Sequence, residues 1–188
     1  MLALLCISLI AQDVSAQSFS ENEWKVIRSL SPAVIQKDTT NAFETNKEAA
    51  ILGQHLFFEK RLSSNGEVSC ATCHIPEKYF TDGLSVAQGI KPLERNTPTV
   101  LNSAHQRWFF WDGRTDALWG QPVQTIEHPS EMNMSRMNAL EVIQKDELLS
   151  TQWTSVFGTM NPQAVDANAV KMAKAIAAYI TQLVATDS

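Results

Sequence analysis

The chain has 188 residues, of which 44% are hydrophobic and 19% charged, with only 7 Gly and 7 Pro. This composition excludes collagen-like, low-complexity and mostly disordered chains, and a compact domain of this length folds without a disulfide framework. The formal net charge is -5, and no run of Lys or Arg could follow a phosphate backbone. Nucleic acid is therefore not expected as a partner.

The first sixteen residues have the pattern of an export signal. An apolar run over 2–11 is too short to span a membrane, and Val14 and Ala16 are the small residues that a signal peptidase accepts. No Lys or Arg precedes this run, which departs from the usual pattern, and a buried N-terminal helix is the alternative. We predict a signal peptide over 1–16, an N-terminal extension over 17–45 and no membrane span.

The spacing of apolar residues predicts a mostly helical chain. The predicted helices cover about 20–30, 46–62, 135–149 and 166–184. Their predicted N-caps include Ser20, Asn46 and Asp166. Between Pro76 and Pro129 no period is sustained, and a segment this long without regular structure is expected to be functional.

One short motif carries the chemistry. Cys70-Ala71-Thr72-Cys73-His74 is a C-x-x-C-H, the attachment sequence of c-type haem. On one helical turn, two thiols three residues apart can reach both haem vinyl groups, and the next imidazole can take an axial position on the iron. A disulfide, a thioredoxin-type pair and half a zinc site are the alternatives. A βαβ pattern and further Cys ligands are missing from the predicted mature chain, which disfavours the last two.

The residues leave the sixth iron ligand open. An electron carrier needs a strong ligand there, usually Met or His, whereas a peroxide-reducing haem needs an open position beside an acid/base group. The available side chains are Met132, Met134, Met137, His105 and His128. A core or surface position is the commoner role for each Met. His55 is expected to be a surface or half-buried helix residue, and His105 and His128 are expected to be solvated in loops.

Several segments, in order along the chain, resemble the N-terminal haem domain of bacterial di-haem cytochrome c peroxidases and their MauG-type relatives. They are Leu52-Gly53, Leu56-Phe57-Phe58-Glu59, Arg61-Leu62-Ser63, Val68 to His74, Phe80-Thr81-Asp82-Gly83, Arg95-Asn96-Thr97-Pro98-Thr99, Phe110-Trp111-Asp112-Gly113-Arg114 and Glu131-Met132.

The resemblance implies roles for particular residues. Gln121 and Glu131 match the family's distal Gln and Glu, which form the acid/base pair of the peroxide pocket. Trp111 matches the tryptophan between the two haems and would relay electrons, although packing in the core is the alternative. Arg114 is expected to pair with a haem propionate or a nearby carboxylate.

Three departures from the family pattern are also visible. Gln88 stands where many members place a blocking His, so we expect an open resting site. Thr125 replaces the usual Pro four residues after Gln121. The sequence carries one C-x-x-C-H, so we expect the second haem domain of the family to be missing from this chain and Asn96 to supply only part of an interdomain calcium site.

We therefore predict an all-α, cytochrome c-like haem domain over 46–188 with a long loop-rich insertion. The expected activity is periplasmic reduction of hydrogen peroxide by one covalent haem c, with electrons from a small cytochrome c or cupredoxin and a second haem domain or subunit as partner. A non-enzymatic electron-transfer cytochrome and a MauG-like oxidase of a protein side chain are the alternatives.

Overall fold

The computed structural model describes residues 18–30 and 37–185. Within them the regular structure is helical, with seven α-helices and three isolated β-bridges, which confirms the all-α prediction. The helices are α1 (Glu21–Leu30), α2 (Lys47–Phe58), α3 (Cys70–Cys73), α4 (Gly120–Glu127), α5 (Arg136–Lys145), α6 (Glu147–Phe157) and α7 (Val165–Ile180). Among the described residues, no helix is long and apolar enough to cross a bilayer. The predicted signal peptide lies outside them.

Helix α1 forms a unit of its own, and none of its residues is buried. Its start confirms the predicted capping box. The Ser20 N–H donates to Glu23 Oε2 at 2.7 Å, and the Glu23 N–H donates to Ser20 Oγ at 3.3 Å. These reciprocal bonds satisfy two of the amides that a helix start leaves unpaired.

Helices α2 and α7 pack together in the core of the second unit. Asn46 caps α2 as predicted, its Oδ1 accepting from the Ala49 N–H at 2.7 Å. Gly53 meets the α7 main chain, because a Cβ on Gly53 would lie 2.5 Å from the carbonyl carbon of Ala175. The two helices therefore approach closely at Gly53, and Leu52, Leu56 and Phe57 are buried beside it.

Helix α7 differs from its prediction at both ends. Ala164 is the N-cap and makes no side-chain cap bond, whereas Asp166 lies inside the first turn and accepts from Arg136 Nη1 at 2.8 Å. The predicted cap at Asp166 is therefore wrong. The helix also ends at Ile180, before the predicted end near residue 184. Beyond Ile180 the chain is held outside the helix, because the Asn102 N–H donates to the Leu183 carbonyl at 2.8 Å.

The single helix predicted over 135–149 is two helices. Ser135 caps α5, accepting from the Asn138 N–H at 3.2 Å. Asp146 ends α5 and caps α6, accepting from the Leu149 N–H at 3.0 Å. Asp is a preferred N-cap residue, and it starts a new helix here within an apolar pattern that looked continuous.

The segment 76–129 is mostly irregular, as predicted, but it ends in a helix that the prediction omitted. Helix α4 has Pro122 as its third residue, in the first turn, where a missing N–H leaves no intrahelical bond unmade. The bridges Ile75–Thr81, Gln88–Pro92 and Phe109–Thr115 close three loops in and beside this segment.

Candidate functional site

The C-x-x-C-H motif forms a single helical turn. The Ser69 N–H donates to Thr72 Oγ1 at 2.9 Å, and the Thr72 N–H donates to the Ser69 carbonyl at 3.0 Å. The His74 N–H then closes the turn on the Cys70 carbonyl at 2.8 Å. Both cysteines are half-buried and are not joined in a disulfide. The motif thus has the local geometry that the sequence predicted.

Both thiols are in a site that favours their neutral form. Burial raises the pKa of Cys70 to about 12, with a further contribution from the Cys73 thiol. Burial also raises the pKa of Cys73, and the nearby Asp82 and Glu131 carboxylates add to this shift. A redox-active dithiol instead needs a thiol whose pKa is lowered. The surroundings therefore argue against a thioredoxin-type pair.

The His74 ring lies beside two backbone carbonyls, those of Phe80 and Pro98. Its Nδ1 lies 3.1 Å from the Phe80 carbonyl oxygen, which can only accept, so Nδ1 carries the proton. Burial lowers the pKa of His74, which favours the neutral ring. Nε2 is then left with a lone pair, as an iron ligand requires. Together with two unpaired thiols, this donor set fits a covalently attached haem.

An unusual loop supplies the Phe80 carbonyl. Tyr79 and Phe80 both have left-handed backbone angles, with φ values of 56° and 58°. Such angles are rare for bulky residues and cluster at functional sites. The Phe80 N–H donates to the Ile75 carbonyl at 2.8 Å, which closes the loop beside His74. The sequence has no Gly here that could have signalled this conformation.

Asp82 is a buried carboxylate that the sequence reasoning assigned no role. Its side chain accepts from Thr97 Oγ1 at 2.9 Å and from the Leu84 N–H at 3.0 Å. Its charge contributes to the raised pKa of Cys73 and opposes the lowering of the His74 pKa by burial. Buried acids need such partners. Its place in the segment Phe80-Thr81-Asp82-Gly83 was the available signal.

Glu131 lies at the same site as the two cysteines. Its charge contributes to raising the pKa of both Cys70 and Cys73. Burial raises the pKa of Glu131 itself, while His128, the Thr125 hydroxyl and Arg114 oppose that shift. The structure therefore brings the predicted acid/base residue to the C-x-x-C-H turn across 57 residues of sequence.

A hairpin over 87–93 links the turn of α3 to Glu131. The Ile90 and Lys91 N–H groups donate to the Glu131 and Ser130 carbonyls, each at 3.0 Å. At its other end, Cys73 Sγ lies 3.5 Å from the Gln88 carbonyl. The Gln88 side chain is exposed.

The other predicted site residues occupy the segment before Glu131. Gln121 is half-buried in the first turn of α4. Arg114 Nη1 lies 2.9 Å from Asp112 Oδ1, and its guanidinium stacks 3.4 Å from the Phe110 ring centroid. The structure thus gives Arg114 the carboxylate partner that was one of its two predicted partners.

Trp111 lies at the surface. Its exposed fraction is 67%, and the Arg95 guanidinium lies 5.8 Å from its ring centroid. Trp108 is also exposed, whereas Phe109 is buried. Core packing as the alternative role of Trp111 is therefore wrong.

The remaining candidate ligands are dispersed. Met132 is buried in the core, whereas Met137, His105 and Asn96 are exposed, and Met134 is half-buried. His55 is exposed on α2, as expected. Across residues 18–30 and 37–185, no group of three or more His, Cys, Asp or Glu side chains could hold a metal ion.

The chain matches a known family over most of its length. The sequence pattern described as di-haem cytochrome c peroxidase covers residues 47–188. The chain belongs to this family. Membership implies haem c as the cofactor, and it confirms the resemblance to di-haem peroxidases and the cytochrome c-like fold class.

The similar proteins include both a MauG protein and cytochrome c peroxidases. Methylamine utilization protein MauG of Methylorubrum extorquens is 44% identical over 117 residues, which cover 61% of this chain and 33% of the relative. Cytochrome c551 peroxidase of Nitrosomonas europaea is 33% identical over 162 residues, covering 84% and 44%. The diheme peroxidase BthA of Burkholderia thailandensis superposes with a TM-score of 0.66 at 26% identity, covering 80% and 40%. This family member spans less than half the length of each of these three relatives.

Proposed function

We propose that this chain is the peroxide-reducing haem domain of a periplasmic cytochrome c peroxidase. In this proposal residues 1–16 form the signal peptide, 17–45 an extension and 46–188 the haem domain. The observation that carries the proposal is that one hairpin contacts both the C-x-x-C-H turn, through Cys73, and a half-buried acid, Glu131, whose charge acts on both thiols.

The haem would be held by residues of α3 and the loop after it. Cys70 and Cys73 would form the thioethers, and Nε2 of His74 would bind the iron because Nδ1 is engaged by Phe80. When bound, the haem supplies an iron that takes up peroxide and delivers electrons for cleavage of the O–O bond.

Glu131 would carry the proton that cleavage requires. Reduction of hydrogen peroxide consumes two protons and two electrons and yields two water molecules. The raised pKa of Glu131 suits a group that accepts a proton from one peroxide oxygen and returns it to the other, which leaves as water. Gln121 would orient peroxide through its side-chain amide, which can donate a hydrogen bond but cannot take up or release a proton.

Electrons would enter from a partner. A small cytochrome c or a cupredoxin is the proposed donor, and a second haem domain or subunit would supply the further electron that one haem does not hold. The exposed Trp111 ring, with Arg95 beside it, is the proposed contact for that transfer. Calcium between the two halves would take Asn96 as one ligand.

A MauG-like oxidation of a protein side chain is the second candidate function. The observation in its favour is the 44% identity to a MauG protein. Consumption of peroxide with a reduced cytochrome, but without a protein substrate, would separate the peroxidase from this alternative.

The test of the proposed function uses the full chain expressed with a c-type haem maturation system. Acid-acetone treatment should leave the haem on the polypeptide, and haem extracted into the solvent would refute attachment at Cys70 and Cys73. The oxidised spectrum should be high-spin, because Gln88 replaces the family's blocking His. A low-spin spectrum would favour the electron carrier.

Rapid mixing with peroxide then tests Glu131. Glu131→Gln should slow the reaction by about two to four orders of magnitude, the usual contribution of positioned acid–base catalysis. The control is Glu141→Gln, which changes an exposed acid on α5 that pairs with Lys145. An unchanged rate in Glu131→Gln would refute the acid/base role.

A further inference from the structure

His128 and Glu131 project from one tight turn that follows α4. The His128 N–H donates to the Thr125 carbonyl at 3.3 Å and ends the helix. The Glu131 and Asn133 N–H groups both donate to the His128 carbonyl, at 3.1 and 2.9 Å. This closed turn places His128 Nδ1 3.7 Å from Glu131 Oε1.

The two side chains differ in their access to water. The His128 side chain is 44% exposed, whereas Glu131 is 27% exposed and lies at the turn that carries the cysteines. A proton that leaves Glu131 for solvent can therefore pass through His128. The imidazole ring of histidine can both accept and donate a proton through its nitrogens, as this task requires.

The His128 ring also has a partner for Nδ1 in each of its protonation states. The Ser130 N–H points at Nδ1 at 3.3 Å, which requires a lone pair on that nitrogen. When Nδ1 is protonated it can no longer accept from Ser130, and the facing partner is the Glu131 carboxylate. Because neutral Nδ1 faces the Ser130 N–H and protonated Nδ1 faces Glu131, the ring can take up and release a proton without moving.

We infer that His128 relays protons between solvent and the Glu131 carboxylate. In the step toward the site, the imidazolium Nδ1 gives its proton to a bridging water, because 3.7 Å is too long for direct transfer, and that water gives one of its own protons to Glu131 Oε1. Neutral His128 and protonated Glu131 result, and a buffer acid or hydronium ion then protonates the ring again. This inference rests on the proposed function, because peroxide reduction consumes two protons per turnover.

Other groups around Glu131 do not provide the same route. Arg114 and Thr125 act on Glu131 through a guanidinium and a hydroxyl, side chains that do not serve as acid–base relays, and the α3 thiols are neutral because their pKa values are raised. The hairpin packed on this turn contributes backbone N–H groups, and its Lys91 is exposed. Glu127, just before His128, is engaged by Arg136 at 2.6 Å.

The test compares His128→Asn with the wild-type chain, both loaded with haem. The Asn side-chain oxygen can still accept from the Ser130 N–H but cannot carry a proton, so the turn is preserved. The control is the same substitution at His55, an exposed histidine on α2 that bonds Gln152. His128→Gln is the second variant if His128→Asn folds poorly, as judged by thermal unfolding.

Four readouts together separate a relay from a structural role. Steady-state peroxide turnover of His128→Asn with a reduced cytochrome should slow by at least about tenfold, lose an inflection from its pH profile and recover as the concentration of a buffer acid that does not bind haem iron, such as morpholinoethanesulfonic acid, is raised. The carboxyl stretch of Glu131, identified by its loss in Glu131→Gln, should titrate at a higher pH in infrared spectra, because the His128 cation that lowers its pKa is gone. His55→Asn should change none of these.

The possible failures are distinguishable. A normal rate in Glu131→Gln would refute the acid/base role that the proposed function assigns to Glu131. A slow Glu131→Gln together with a His128→Asn variant of normal rate and pH profile would refute the relay alone. A slow His128→Asn variant that the non-ligating buffer acid does not rescue, with the Glu131 titration unchanged, would also refute it, because His128 would then act only in the structure.

Discussion

Gly89 lies directly against the main chain of Glu131. A Cβ on Gly89 would be 2.8 Å from Glu131 Cα and 2.9 Å from its carbonyl oxygen, and closer still to the Ser130 carbonyl oxygen. The hairpin also donates two hydrogen bonds to this stretch, from the Ile90 and Lys91 N–H groups. The position of the proposed acid therefore depends on a residue 42 positions earlier that has no side chain.

Gly89→Ala is expected to slow the peroxide reaction while leaving haem attachment intact. The added methyl group must push the 130–131 main chain away, and a displacement of about 1 Å in a catalytic group can cost roughly 10²-fold in rate. Rapid mixing with peroxide measures the effect. Lys91→Ala is the control, since it trims an exposed side chain of the same hairpin. Equal rates for Gly89→Ala and the wild type would contradict the positioning role.

Gly53→Ala is expected to destabilise the fold itself. A Cβ there would lie 2.5 Å from the Ala175 carbonyl carbon, and the obstructing atoms belong to the backbone of α7. Overpacking of this kind costs about 1 to 3 kcal/mol or more in the free energy of unfolding. Urea unfolding followed by circular dichroism measures this loss, with Ile51→Ala, an exposed change on the same helix, as the control. A stability equal to that of the control would show that the two helices separate at little cost.

The ion pair between Arg136 and Glu127 is expected to make stability fall in acid. Arg136 donates from Nε at 2.7 Å and from Nη2 at 2.6 Å, and these bonds lower the pKa of Glu127. The pair therefore stabilises the fold above the unfolded pKa of Glu, about 4.3. That contribution is lost as the pH falls through the lower folded value.

The measurement is urea unfolding of the wild type and Glu127→Gln at pH 7 and at pH 3. Because the pair is about one-third exposed, the difference at pH 7 should be about 1 kcal/mol or less, and it should shrink at pH 3. Glu141→Gln, on α5, is the control for loss of an exposed pair with Lys145. A difference between wild type and Glu127→Gln that grows in acid would contradict the assigned direction.

The sequence predicted those features that local patterns encode. Asn46 and Ser20 cap helices as expected, because a side-chain oxygen before an amphipathic run is itself the cause of the helix start. Asp166 matched the same pattern but is held by Arg136 from α5, a contact between residues 30 positions apart. Local propensity could not weigh that contact.

In the candidate site, too, the sequence predicted the local features but not the contacts between distant residues. The C-x-x-C-H turn is local and was predicted. The Phe80 carbonyl reaches His74 because Tyr79 and Phe80 are left-handed, and neither is a Gly or Asn, the residues that usually indicate this conformation. Glu131 was found through the family resemblance, since one acid in a loop carries no signal of its own. Its contacts with His128 and Gly89 depend on the folded turn and hairpin.

Asp82→Asn is expected to raise the reduction potential of the haem-loaded chain. The buried Asp82 carboxylate acts on both Cys73 and His74, so it favours the more positively charged, oxidised state of a group attached there. Removing one such charge should raise the potential on the order of tens of millivolts, as expected at an effective dielectric constant of about 20. The Asn oxygen can still accept from Thr97 or from the Leu84 N–H, so the loop should keep its fold.

A spectroscopic redox titration at constant pH checks this prediction. Asp166→Asn is the matched control, because it removes an equally charged but exposed carboxylate whose partner is Arg136. We expect the control to shift the potential far less, since solvent screens exposed charges. Equal shifts in the two variants would mean that the burial of Asp82 is irrelevant to the haem. A downward shift in Asp82→Asn would show that the loop has rearranged and that Asp82 acts as a structural bond rather than as a charge.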